Sequence, residues 1–413
     1  MDWAAVLARV RHYRKPMVRF LRDLVAIPSE STQERGVIER IAREMKGLGA
    51  FDSIRTDAMG NLFGRVGRGP RVIAIDAHVD TVGVGDRSEW KHDPYKGKVA
   101  GGWVWGRGAG DQEGAIPSMV YAARIIRDLK IPTDEYSLYL VFTVMEEDCD
   151  GLCWQYIIRE GKFRPECVVI TDSTDCQVFR GQRGRMEIGV TVKGRSCHGS
   201  MPHKGDNAVY KMSRVVQEIE RLNGWLRRNE FLGDGTITVT YISCKTPSMC
   251  AVPGEAYIQL DRRLTTGETE GSALAEVRAA ARRAGVKAKV ETRSYARPSY
   301  TGLTYPARSY FPTWVVQEDA PPVAAAKQVY RDLFGREAKV GRWTFSTNAV
   351  SINGMFGIPC VGFGPAPESV AHTVRDSVPI KQLVDCAAFY AAFAQTYGQM
   401  WPQPQRARRE ARR

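Results

Sequence analysis

The chain has six histidines, His12, His78, His92, His198, His203 and His372, and three of them, His78, His198 and His372, sit among groups that could do chemistry. His78 closes the apolar run RVIAIDAHV and precedes Asp80 by two residues, a spacing at which a carboxylate can orient the imidazole and raise its basicity. Asp111 lies in GRGAGDQEG, where glycines let the backbone turn tightly and present a carboxylate at the head of a helix; the bland alternative is a capping aspartate. Glu146 and Glu147 end a second apolar run, YSLYLVFTVM, and Asp172 ends a third, ECVVITD. Alternation along a strand sends adjacent side chains to opposite sides unless the chain turns there. On a surface turn two neighbouring acids mean little. At a metal site one can ligate while the other carries the proton taken from activated water.

Other combinations are weaker. Cys197 beside His198 could suggest a thiol nucleophile with a histidine base, but adjacent strand residues face apart, which makes a poor catalytic pair. Cys149 and Cys153 lack the second matching pair of a zinc knuckle and read as buried thiols. His12, His92 and His203 read as structural or surface residues, and Trp90, Trp103 and Trp105 as packing.

The elements that must position these groups follow from hydrophobic periodicity. The three apolar runs ending at residues 79, 145 and 172 read as buried strands, and GAIPSMVYAARIIRDL between the first two has helical spacing. Strands alternating with helices predict an α/β fold with a mostly parallel, helix-covered sheet, and ligands bind such sheets beyond the carboxyl ends of the strands. The acidic and histidine clusters fall there. From residue 182 the pattern changes to strand, helix, strand, strand, helix, strand, which predicts an inserted α+β domain over 182–298. The chain then returns to the first domain, with a helix near 320–334 and the run IPCVGFG leading to His372. The predicted domains are therefore 1–181 with 299–401, the insertion 182–298, and a basic disordered tail at 402–413.

Bulk properties agree. At 413 residues the chain exceeds the size of a single hydrophobic core. The N-terminal segment is amphipathic rather than a signal peptide, and no stretch approaches the roughly 20 apolar residues of a membrane span. Nine cysteines without an export signal suit free thiols in a reducing compartment, so a cytoplasmic protein is expected. The net charge of +13 owes +4 to the tail PQPQRARREARR, and the body shows no helix-turn-helix, zinc-finger or RNA-binding signature. An anionic small-molecule substrate explains a mildly basic body at least as well as nucleic acid does, and neither nucleic acid nor a membrane is expected as a partner.

In order, HVDTVGVGD, GRGAGDQEGAIPSMVYA, VMEEDCDG, CHGSMPHKGDNAVY and GFGPAPESVAHT resemble the metallopeptidase family of acetylornithine deacetylase, succinyl-diaminopimelate desuccinylase, aminoacylase and carboxypeptidase G. EEDCDGLCWQYIIREG, RGRMEIGVTVKGRSCHGS and RWTFSTNAVS resemble most its selenium-metabolism-linked hydrolases. The resemblance implies a zinc-exopeptidase-like catalytic domain, an inserted dimerisation or lid domain, a homodimer, and one or two divalent metal ions (zinc, manganese or cobalt) per subunit. It implies that His78 and Asp172 bind one metal, Glu147 and His372 the other, and Asp111 both. Glu146 would be the general base, Asp80 the buttress of His78, and His198 an oxyanion stabiliser reaching the partner subunit's site. Arg263, with Arg262 as its alternative, would grip a substrate carboxylate, and Asn207 would contact substrate or oxyanion. Two departures stand out: Asp172-Ser173-Thr174 where Glu-Pro-Thr or Glu-Pro-Ser is frequent, and Thr373-Val374-Arg375 where Pro-Asn-Glu is. Arg375 would bring positive charge close to the metals.

The expected activity is hydrolysis of a C–N bond, usually an amide, in a small carboxylate-bearing molecule such as an N-acyl amino acid or dipeptide. A second reading keeps the site but displaces an amine from an activated aromatic acid, as nitroanthranilate-type aminohydrolases of this family do, with Arg375 as its support. A third is a catalytically dead binding relative. The presence of all five expected ligands and the base speaks against it.

Overall fold

The computed structural model describes residues 1–401; the basic tail expected at 402–413 lies outside the described residues. Its centre is the strand Arg71–His78, buried along almost its whole length. Small and β-branched residues let it pack on both faces, as an interior strand of a parallel sheet must. Strand Tyr136–Thr143 lies parallel on one side and Cys167–Ile170 on the other, followed by Cys360–Gly362, also parallel. Antiparallel strands extend both flanks: Leu62–Val66 and then Ser53–Thr56 beyond Tyr136–Thr143, and Val178–Gln182 beyond Cys360–Gly362. Parallel pairing forces the long crossovers that the sequence spacing shows. Helices Trp3–Val25, Ala115–Asp128, Pro321–Phe334 and Ile380–Met400 pack against one another over this sheet's core. The first of these starts at Asp2, whose side chain accepts from the Ala5 backbone N–H, and it buries Val6, Val10, Met17, Phe20 and Leu24 at helical spacing.

A second, antiparallel sheet has its own core. Its order is Thr236–Lys245, Glu255–Leu264, Gly184–Lys193, Ala288–Thr292, and helices Ala208–Leu222 and Glu270–Arg283 cover it. Alternate residues of Glu255–Leu264 are buried, the period-two signature of a sheet with one wet face. The segment Tyr310–Phe311, beyond residue 298, also pairs with Arg185 and Met186 of this sheet. None of the described helices is long and apolar enough to cross a membrane.

Candidate metal centre

The ends of the parallel strands bring the acids and histidines together. His78 is the last residue of its strand, and its Nδ1 lies 2.9 Å from the Asp80 backbone carbonyl and 3.6 Å from that residue's carboxylate. The expected buttress is therefore chiefly the main chain of Asp80. Its carboxylate has other work: Oδ1 accepts from the Glu146 N–H at 3.1 Å, and Oδ2 accepts from the Glu147 N–H at 3.0 Å and the Ser31 hydroxyl at 2.6 Å. Those bonds hold the turn after Thr143. Met145 is in the left-handed region there, at φ 64°, so the strand has ended before the two glutamates and both can face the same site.

The Asp111 loop is held from the other end of the chain. Asp376 accepts from the Gly110 N–H at 2.7 Å and the Gly108 N–H at 2.8 Å, and pairs with Arg107 at 3.1 Å. Gly108 has φ +82°, and a Cβ at Gly110 would lie 2.7 Å from Val370 and 3.0 Å from Asp376, so both positions exclude side chains. This brace places Asp111 between two imidazoles: Oδ1 is 3.4 Å from His78 Nε2 and Oδ2 is 3.2 Å from His372 Nε2. Glu147 lies 2.9 Å from His372, and Asp172 lies 3.8 Å from His78. Glu146 stands 4.0 Å from His78.

Whether this set suits a metal can be judged from its donors. Ligand atoms of His78, Asp111 and Glu147 lie within 4.8 Å of one another. Asp172 Oδ2 and Glu146 Oε1 are buried and accept no hydrogen bond among the described residues, although an acceptor left alone away from water is costly. Imidazole and carboxylate donors with spare lone pairs are what zinc, manganese or cobalt takes, so the residues fit. Electrostatics say the same. Burial drives the carboxyl of Asp172 up to about 8 and that of Glu147 up to about 7, with Asp111 adding repulsion in both cases. Hydrogen bonding to Asp111 and then to Glu147 lifts His372 to about 10. Burial raises Glu146 well above the carboxylate range. A cation would relieve every one of these shifts.

These residues open onto a cavity of about 320 Å³ whose wall also includes Arg263, Arg185, Asp150 and Glu368. Arg263 forks onto Asp261 at 2.8 and 3.2 Å, leaving Nη1 for a ligand. Arg262 is fully buried between Glu268 and Glu276 and belongs to the core of the inserted sheet.

Three expected site residues lie elsewhere in the chain. Asn207 caps helix Ala208–Leu222, accepting from the Val209 and Tyr210 N–H groups. His198 is exposed, with Nδ1 2.7 Å from the Ser200 hydroxyl. Arg375 is exposed and off the cavity wall, while its neighbour Asp376 is drawn inward by Arg107 and the glycine amides. The supports that sequence reasoning missed are Asp376, Arg107 and Asp76. Asp76 accepts from Trp154 at 2.8 Å and Asn348 at 2.9 Å beneath His78, and an acid inside an apolar strand run was its visible signal.

Residues 74–396 match Peptidase family M20/M25/M40. The chain is 52% identical to the uncharacterized protein YgeY of Escherichia coli (strain K12), over 94% of this chain and 96% of that one. It is 30% identical to a succinyl-diaminopimelate desuccinylase of Cereibacter sphaeroides, over 57% of this chain and 64% of that one. Among solved structures, the aminopeptidase PepT of Bacillus cereus superposes with a TM-score of 0.71 at 19% identity, covering 93% of this chain and 99% of that one. The Bacillus subtilis YXEP protein, a dinuclear metal binding peptidase, superposes with a TM-score of 0.68 at 14% identity, covering 93% and 98%. The two structures share the fold. The long match to the family and the near full-length relative show that this chain belongs to Peptidase family M20/M25/M40 and is a metal-dependent hydrolase.

Proposed function

We propose that the chain hydrolyses the amide bond of a small carboxylate-bearing substrate, an N-acyl amino acid or dipeptide, at a centre for two divalent cations. The observation that carries this reading is the position of Asp111, one oxygen toward each of two imidazoles. His78 and Asp172 would hold one cation, Glu147 and His372 the other, and Asp111 both. Bound there, the cations would polarise the scissile carbonyl and acidify water. Glu146 ligates neither; it accepts the proton released as water oxygen joins the acyl carbon, and returns it to the departing nitrogen as the C–N bond breaks. Burial of Glu146 supports the role, because a raised pKa suits a group that must give its proton back. Asp80 holds Glu146 and Glu147 by their backbone, and Arg263 receives the substrate carboxylate.

The centre belongs to the portion 1–181 with 299–401, and 182–298 forms a lid and dimerisation domain. His198, exposed and outside its own chain's cavity, serves the partner's site as oxyanion donor in a homodimer, with Asn207 near it. Nine free thiols support a cytoplasmic location. The aromatic displacement reading rested on Arg375, which is not on the cavity wall. The test is amine release by protein loaded with zinc, manganese or cobalt across N-acyl amino acids, dipeptides and aminobenzoates. Turnover of an acyl or peptide member supports the reading, and ammonia from aminobenzoates alone overturns it.

A further inference from the structure

Beyond the metal cluster, the cavity wall carries two acids, Asp150 and Glu368, and two arginines, Arg185 and Arg263. Three of these four have a partner. Asp150 is matched by Arg185, and Arg263 forks onto Asp261. Glu368 differs. One of its oxygens accepts from the Thr344 N–H and the other from the Thr344 hydroxyl, both at 3.0 Å, and both donors are neutral. The field of Arg342 reaches it, but among the described residues no cationic nitrogen lies within ion-pairing distance. Glu368 opens the short helical turn that leads to His372, and Thr344 directly follows the strand Val340–Trp343. The carboxylate is therefore fixed between two elements, half-buried, and turned to the cavity that holds the cluster.

A half-buried carboxylate held only by neutral donors keeps lone pairs and charge to spare, and charge-assisted hydrogen bonds are roughly twice as strong as neutral ones. The opposite charge already has its receptor in Arg263. We propose that Glu368 is a specificity residue that accepts hydrogen bonds from a nitrogen group of the substrate other than the scissile one, an ammonium above all, while Arg263 takes the carboxylate. This rests on the amide-hydrolase reading and narrows it. The favoured substrates are zwitterions: a dipeptide with a free α-amine, or an N-acyl amino acid with an amine on its side chain. Simple N-acyl amino acids with aliphatic side chains lack the second group. A site built to satisfy such a group discriminates strongly against analogues without it.

The test uses the metal-loaded full chain and matched pairs that differ only in amine versus methyl, one pair at the α position of a dipeptide and one on the side chain of an N-acyl amino acid. The expected preference for the amine is about 10- to 100-fold in kcat/KM, in whichever pair places nitrogen against Glu368. Glu368→Gln should collapse that ratio towards one, and Glu368→Asp should keep part of it. A binding measurement separates this inference from the broader reading. Calorimetry with diaminobutyrate against norvaline for the side-chain amine, and with norvaline against pentanoate for the α-amine, should show the same preference in the same position, lost in Glu368→Gln. Binding preference without turnover of either pair would sink the amide-hydrolase reading and leave Glu368 as a nitrogen receptor. Equal kcat/KM and equal binding within each pair, or a preference that survives Glu368→Gln, would overturn the proposal.

Discussion

Arg185 grips both carboxylate oxygens of Asp150, Nη2 to Oδ1 at 2.9 Å and Nε to Oδ2 at 3.1 Å. Arg185 lies at the start of the inserted sheet, and Asp150 lies three residues after Glu147. On the return crossing, Asp148 accepts from the Tyr295 hydroxyl at 2.8 Å and pairs with Arg297. The loop carrying Glu146 and Glu147 is thus clasped at both crossings between the two sheets. Removing Asp150 takes two charge-assisted hydrogen bonds from Arg185, which keeps Glu187 as a partner at 3.2 Å. Asp150→Ala should therefore cost about 2 kcal/mol of stability, read as a lower denaturation midpoint. It should also lower kcat more than it raises KM, because the glutamates lose their brace. An unchanged midpoint would contradict the clasp.

The two neighbouring arginines should separate cleanly. Arg262 is sealed between Glu268 and Glu276, so Arg262→Ala should destabilise the chain by about 3–5 kcal/mol. Arg263 stands part-buried on the cavity wall with its fork on Asp261, so Arg263→Ala should change stability by less than about 1 kcal/mol and raise KM about tenfold or more. Denaturant unfolding and steady-state kinetics on both variants decide the matter, and reversed phenotypes would move the carboxylate receptor to Arg262.

Stability of metal-free protein should fall as pH rises. The folded state raises Glu147 to about 7 and Asp172 to about 8, so between their ordinary values and these it holds protons the unfolded chain has lost. His372, raised to about 10, does the same above its ordinary 6.5. In each case the folded state binds more protons, so these groups weaken folding with increasing pH between about 4.5 and 10. Metal ions displace those protons. The gain in melting temperature on adding metal to chelator-treated protein should therefore grow from pH 5.5 to 8.5. A gain independent of pH would show that the cluster does not hold the metal.

If His198 acts across a dimer, His198→Ala should lose about 100- to 1000-fold in kcat with its metal content intact. Mixed with Glu146→Ala, it should recover about a quarter of wild-type activity, since half of randomly mixed dimers are hybrids with one intact site. Absence of rescue under conditions that exchange subunits would place His198 outside the chemistry.

Much of this was legible in the chain. His78, Asp111, Glu147, Asp172 and His372 follow apolar runs or glycine turns, and strand ends in parallel sheets converge, so their positions pointed to one site, while their division into ligands came from the family resemblance. What escaped was what the main chain does. No side-chain pattern shows that the Asp80 carbonyl orients His78 while its carboxylate holds two amides. Arg375 drew attention as an unexpected charge, whereas the buried partner of the Asp111 loop is Asp376 beside it. Which of two adjacent residues turns inward depends on Arg107, 269 positions away. Arg262 and Arg263 were indistinguishable until the register with Glu268 and Glu276 was known.

The central claim is that this cluster holds metal while Glu146 stands beside it as the proton carrier. Elemental analysis with turnover on wild type, His78→Ala and Glu146→Ala tests it most directly. The account predicts that Glu146→Ala keeps wild-type metal content and loses about 100- to 10,000-fold in kcat, whereas His78→Ala loses metal and activity together. Equal metal loss in both variants would contradict it and make Glu146 a ligand.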